Sequence, residues 1–168
     1  ETGQTVYFRS IPLNLIPTEA QEQDFTALEE IIFIGYPNSI YDRKNLLPII
    51  RKGITATSLF MDYEGKPRFL IDASVFRGSS GSPVFMYDFG SYSTAEGNMV
   101  IGSRIYFLGL VSQLFKREEK GEIEFIEVPT AQVPIFKTEQ ILNLGVVIKS
   151  KAVIETITEF LKNKVTMV

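Results

Sequence analysis

The sequence predicts an all-β domain, an antiparallel barrel or sandwich with one α-helix at its C-terminal end. Three observations carry that reading. Short runs rich in Ile, Val, Phe, Tyr and Thr recur along the chain, and branched or aromatic side chains suit a pleated surface. Turn-forming residues separate these runs at the spacing of antiparallel folds. A single stretch, close to the C-terminus, repeats its apolar residues at helical intervals.

Taken in order, the runs place strands at Thr5–Ile11, Glu30–Tyr36, Gly53–Met61, Pro67–Ile71, Pro83–Tyr87, Met99–Leu114, Glu122–Val128 and Leu144–Ile148. Thr18–Glu30 is acidic and reads as a solvated connection. Tyr63-Glu64-Gly65-Lys66-Pro67 reads as a hairpin turn, Asp88–Asn98 as a polar surface loop, and Lys116–Gly121 as a charged hairpin tip. In the helical stretch Val153, Ile154, Ile157, Phe160 and Leu161 share one face behind Ser150, whose hydroxyl suits an N-cap. Lys162 and Lys164 then fall where cations complement the helix dipole. That apolar face predicts packing against the β-sheet.

With 168 residues the chain is expected to form a single domain, residues 1–168, burying roughly 68–70% of its unfolded surface. Its 13 Phe and 7 Tyr predict a Phe-rich core. A net charge of −3 with no cluster of Lys or Arg argues against a nucleic-acid partner and against electrostatic attachment to a membrane. No apolar run approaches the roughly 20 residues that span a bilayer. The absence of Cys excludes disulfides and thiolate sites and mildly favours the cytoplasm. The absence of His removes the commonest metal ligand, so neither a metal nor a cofactor is expected. The first residue is Glu1 and not Met, which reads as a processed, trimmed or engineered end and leaves room for native residues upstream.

The segment Arg77-Gly78-Ser79-Ser80-Gly81-Ser82-Pro83 carries the most chemistry. An oxyanion hole needs two backbone N–H groups converging on one point beside a nucleophile, and a tight glycine-containing turn supplies them. Gly78 and Gly81 permit backbone conformations that a Cβ would penalise, so the N–H groups of Gly78 and Ser80 are the expected donors around Ser80 Oγ. A serine attacks a carbonyl only when an adjacent base takes its proton, and the chain has no imidazole. A flexible Gly/Ser connection accounts for the same residues without chemistry. A phosphate-cradling loop does not, because no Gly-Lys-Ser or Gly-Lys-Thr follows.

The flanking residues add a resemblance. Phe69-Leu70-Ile71-Asp72-Ala73-Ser74-Val75-Phe76 leading into Arg77–Val84 resembles the active-site segment of trypsin-like serine peptidases of the HtrA type, in which a strand ends in Asp-Ala and Arg-Gly-Asn-Ser-Gly-Gly-Pro follows. Ile34-Gly35-Tyr36-Pro37 resembles the family's Ile-Gly-Asn-Pro turn, and Arg51-Lys52-Gly53-Ile54-Thr55-Ala56 its Ser-Gly-Ile-Val-Ser strand. Leu108-Gly109-Leu110-Val111-Ser112 is similar to the strand lining the substrate's P1 side. Leu144-Gly145-Val146-Val147-Ile148 and the helix after it resemble the closing strand and C-terminal helix.

The resemblance spans Val6 to Leu161 and covers the C-terminal of the family's two barrels. It implies an antiparallel six-stranded trypsin-like β-barrel with a C-terminal α-helix. It also implies Ser80 as nucleophile, Ser112 as substrate-aligning neighbour, and a P1 pocket near Ser74, Ser112–Leu114 and Val146–Ile148, with Val147 among its walls. None of those pocket residues is charged, so an apolar P1 side chain is expected. The partners implied are a peptide or protein substrate and the N-terminal barrel, which would bring the His and Asp of the triad. Val6–Leu13 resembles the strand expected to carry that Asp but contains no acid. Ser79 stands where the family has Asn or Asp, and Ser82 where it has Gly, both small polar residues compatible with a tight loop; the Ser79 change bears on the loop's internal anchoring. Two functions from different classes follow: a serine endopeptidase completed from upstream, or an inactive peptidase-like module that binds or senses.

Overall fold

The computed structural model describes residues 8–118 and 139–165. In chain order the elements are α1 (Glu19–Glu22), β1 (Glu30–Gly35), β2 (Ile49–Thr55), β3 (Arg68–Asp72), β4 (Pro83–Asp88), β5 (Ser91–Ser93), β6 (Met99–Ile101), β7 (Arg104–Glu118), β8 (Glu139–Lys149) and α2 (Ser150–Val165). Six strands close an antiparallel barrel in the order β1-β2-β3-β8-β7-β4, with β4 pairing back onto β1. Closure removes the free sheet edges that would otherwise template association. The remaining two strands, β5 and β6, form a separate hairpin.

Period-two alternation fills the barrel. Ile31 and Phe33 of β1, Phe69 and Ile71 of β3, and Val84 and Met86 of β4 are all buried in one cluster. Val111, Val147 and Phe25 complete much of it. The buried residues include Phe25, Phe33, Phe69 and Phe107 among a majority of aliphatic residues, while Phe8, Phe60, Phe89 and Phe160 are exposed.

Several boundaries differ from the sequence expectation. The segment β2 starts at Ile49 and ends at Thr55, because its pairing with β1 runs Glu30↔Ile54 to Gly35↔Ile49. The run Met99–Leu114 is interrupted at Gly102 and Ser103, so Met99–Ile101 pairs with β5 while β7 joins the barrel. Part of the expected polar loop Asp88–Asn98 is thereby strand, turned by a Thr94 N–H to Asn98 carbonyl bond of 2.9 Å and its neighbours. Phe8–Ile11 are not strand, and residues 5–7 and the expected strand at 122–128 lie outside the described residues. Within Thr18–Glu30, Thr18 and Gln21 form a capping box that starts α1.

The helix α2 follows β8 without a loop, so Ser150 is its first helical residue. Ala152, Val153 and Ile154 are half-buried, whereas Ile157, Phe160 and Leu161 are exposed. Only the first turns of the predicted apolar face meet the barrel, since the helix leaves its surface beyond them.

A serine loop seated on a bulged strand

The connection between β3 and β4 carries the serine motif. Its local shape follows from two glycines: Gly78 has φ +86° and Gly81 has φ +84°, a region where a Cβ is strained. At Gly78 a Cβ would also lie 3.1 Å from the Tyr36 carbonyl oxygen and 3.3 Å from the Asn38 nitrogen. The loop is thus pressed against the turn after β1, and Asn38 N–H donates to the Arg77 carbonyl at 2.8 Å.

Backbone hydrogen bonds fix the rest. Ser79 N–H donates to the Phe76 carbonyl at 3.0 Å, and Ser82 N–H to the Ser79 carbonyl at 3.0 Å. Gly81 N–H donates to the Val111 carbonyl at 2.7 Å, and Val111 N–H returns to the Ser82 carbonyl at 2.9 Å. The Ser79 hydroxyl accepts from Phe76 N–H at 3.3 Å, and Ser79 is 1% exposed. Serine at this position therefore anchors the loop from within. Ser82 is buried against Gly35, where a Cβ would lie 2.0 Å from Ser82 Oγ. Arg51 lies over the Phe76 ring at 4.7 Å, adding a cation–π contact at the loop's entry.

Ser80 is exposed, and its hydroxyl donates to the Ser112 carbonyl at 3.1 Å. The pairing of β7 with β8 shows why that carbonyl faces the loop. Val111 pairs with Val147 and Gln113 with Val146, so Ser112 is the extra residue of a β-bulge, a device that re-aims backbone and side chain. The N–H groups of Gly78 and Ser80 donate to no group among the described residues. No titratable side chain among the described residues hydrogen-bonds Ser80.

Of the residues singled out in the sequence, the fold brings Ser80 and Ser112 together, while Gly78 is pressed against Tyr36 and Asn38. Ser74 is half-buried earlier in the same connection. Val147 is 0% exposed, packed in the core between its register partners Phe69 and Val111. The side chain of Leu114 lies outside the described residues. Among the described residues no group of three or more His, Cys, Asp or Glu is placed to hold a metal ion, and no helix is long and apolar enough to cross a membrane.

A second polar constellation sits where β4 ends and β7 begins. Arg104 Nη2 is 2.7 Å from Glu29 Oε2 and its Nε is 2.6 Å from Asp88 Oδ2, with all three side chains largely buried. Tyr92 stacks on the guanidinium at 4.2 Å, and the Glu29 carboxylate also accepts from Thr26 N–H. Burial pushes Glu29 above the usual carboxylate range, against the opposing pull of its Thr26 bonds and of Arg104. The sequence signal was present: a lone Arg opens the apolar run Ile105-Tyr106-Phe107-Leu108, and a buried cation requires an acid partner.

Comparisons with family models, with curated proteins and with solved structures found no match.

Proposed function

We propose that this barrel is the nucleophile-bearing half of a serine endopeptidase site of the trypsin-like, HtrA-resembling type. Ser80 is the nucleophile, and the N–H groups of Gly78 and Ser80 are the oxyanion donors. Ser112 and Ser74 border the substrate, with Val147 forming the apolar backing beneath it. The imidazole and the carboxylate come from outside these 168 residues, since the chain contains no His. The substrate is a peptide with an apolar P1 side chain, attacked to give an acyl-enzyme on Ser80.

One observation carries the reading. The loop is held by its own backbone hydrogen bonds, yet it leaves the Ser80 side chain exposed and the N–H groups of Gly78 and Ser80 without an acceptor among the described residues. That shape depends on glycine at position 78, where any other residue would meet both a strained positive φ and the Tyr36 carbonyl. In the resting barrel the Ser80 proton is directed to a carbonyl oxygen, which is no general base. An imidazole must therefore displace that bond before attack, and the barrel by itself is inert as a hydrolase.

The same bond favours a second reading, in which the barrel is a peptidase-like binding or sensing module and the Ser80 hydroxyl serves only to tie the loop to Ser112. Fluorophosphonate labelling of the protein as its gene encodes it, followed by peptide mass mapping, separates the two. An adduct on Ser80, and loss of peptide hydrolysis by about three orders of magnitude in Ser80→Ala, is the expected result. A folded protein that takes no label overturns the peptidase reading and leaves the binding module.

A further inference from the structure

Away from the serine loop, a cavity of about 350 Å³ opens where α2 leaves the barrel. Its apolar surface comes from Phe25, Leu59, Phe69 and Leu108, and its polar rim from the first residues of α2 with Lys149 beside them. Ser150 lines it and is 4% exposed, yet its hydroxyl has no hydrogen-bond partner among the described residues. No fully buried side-chain polar atom among the described residues lacks a partner. The Ser150 hydroxyl must then keep its accessible surface, and the cavity is the opening that Ser150 lines.

Three features converge on that hydroxyl. The first N–H groups of α2, a helix of 16 residues, have no partner within the helix and carry the positive end of its dipole. Lys149 and Lys151 flank Ser150, paired with Asp62 at 2.6 Å and with Glu22 at 2.9 Å. Asp62 and Lys151 are about half exposed and Glu22 is half-buried, so each pair keeps one partner in water and is only modestly strong; Lys149 also donates to the Met61 carbonyl at 3.1 Å. Glu155, on the next turn of α2, also lines the cavity.

We infer that this cavity binds a small amphipathic monocarboxylate. The carboxylate accepts from the Ser150 hydroxyl and the leading N–H groups of α2, between the two lysines. The apolar body lies on Phe25, Leu59, Phe69 and Leu108. An apolar cavity of about 150 Å³ holds a benzene ring, so this larger one accommodates a ring and the short chain that carries the acid. Glu155, Glu22 and Asp62 disfavour a second negative charge, which selects a monoanion over a phosphate monoester.

The test is a titration of the ¹⁵N-labelled protein with 3-phenylpropionate, 3-phenylpropionamide and 2-phenylethyl phosphate, followed by amide shifts. Saturable shifts at Ser150, Lys151 and Ala152 at millimolar acid are expected, with the amide and the phosphate each weaker by about tenfold, a difference of about 1.4 kcal/mol. Ser150→Ala should weaken the acid several-fold, and Glu155→Gln, at an exposed site, should strengthen it and narrow the gap to the phosphate. Absence of saturable shifts, equal binding of acid and amide, or insensitivity to both substitutions would overturn the inference. The outcome is independent of whether Ser80 takes a fluorophosphonate.

Discussion

The two ends of β4 differ in what holds them. At the Pro83 end the chain is positioned by main-chain hydrogen bonds, from Asn38 to Arg77, from Gly81 to Val111 and from Val111 to Ser82, and the Ser80 side chain stays in solvent. At the Asp88 end the side chains themselves form the join, with Arg104 buried between Glu29 and Asp88 and capped by Tyr92. The difference teaches how a small barrel separates tasks. A loop held by its own amides leaves the Ser80 hydroxyl at the surface with one bond, to the Ser112 carbonyl, whereas an end held by buried charges uses its side chains for cohesion.

Substitutions at the two ends should therefore fail in opposite ways. The largest effect is expected for Arg104→Leu, which strands two buried carboxylates and should cost about 3–5 kcal/mol in urea unfolding. A loss near zero would mean that the charges do not hold that end. Gly78→Ala should cost about 1–3 kcal/mol, because alanine meets both a strained φ and the Tyr36 carbonyl. It should also displace the Gly78 N–H, so any fluorophosphonate labelling of Ser80 should fall with it. Full retention of stability and labelling would show that the glycine is dispensable.

A gentler probe of the charged end is pH. Burial raises Glu29 above its ordinary value of 4.5, so the folded state keeps that proton to higher pH than the unfolded chain does. The stability from this group is complete below about that value and is lost as pH rises through the elevated folded value. Unfolding free energies of the parent protein and Glu29→Gln should thus diverge in slope across that window, and parallel curves would refute the assignment. The smallest effect is expected for Ser80→Ala, within about 0.5 kcal/mol, since the residue is exposed and its one hydrogen bond is to a carbonyl at the surface. A larger loss would mean that Ser80 is part of what holds the loop, which favours the binding-module reading.

The strands were legible where pattern and burial agree. Ile31 and Phe33, Phe69 and Ile71, and Val84 and Met86 alternate in the sequence because each pair faces one interior, and the runs that contain them were placed within a few residues. The glycines of the serine loop were legible for a related reason, since a positive φ excludes most other residues. Legibility failed where a local pattern has two solutions. Met99–Leu114 reads as one strand, but the break at Gly102 and Ser103 sends its first part to β5. The apolar face of α2 reads as buried, yet the direction in which a helix leaves a barrel is not written in its periodicity.

By itself, then, the sequence determined the β class, the C-terminal helix and the glycine-framed serine, because each depends on preferences of residues close together in the chain. Closure of six strands by the pairing of β4 with β1, the bulge that turns the Ser112 carbonyl to Ser80, the burial of Val147, and the meeting of Glu29 with Arg104 were decided only by the tertiary structure. Those features join residues tens of positions apart, and a contact of that kind is set by register and packing of the whole barrel, which no local window of sequence contains.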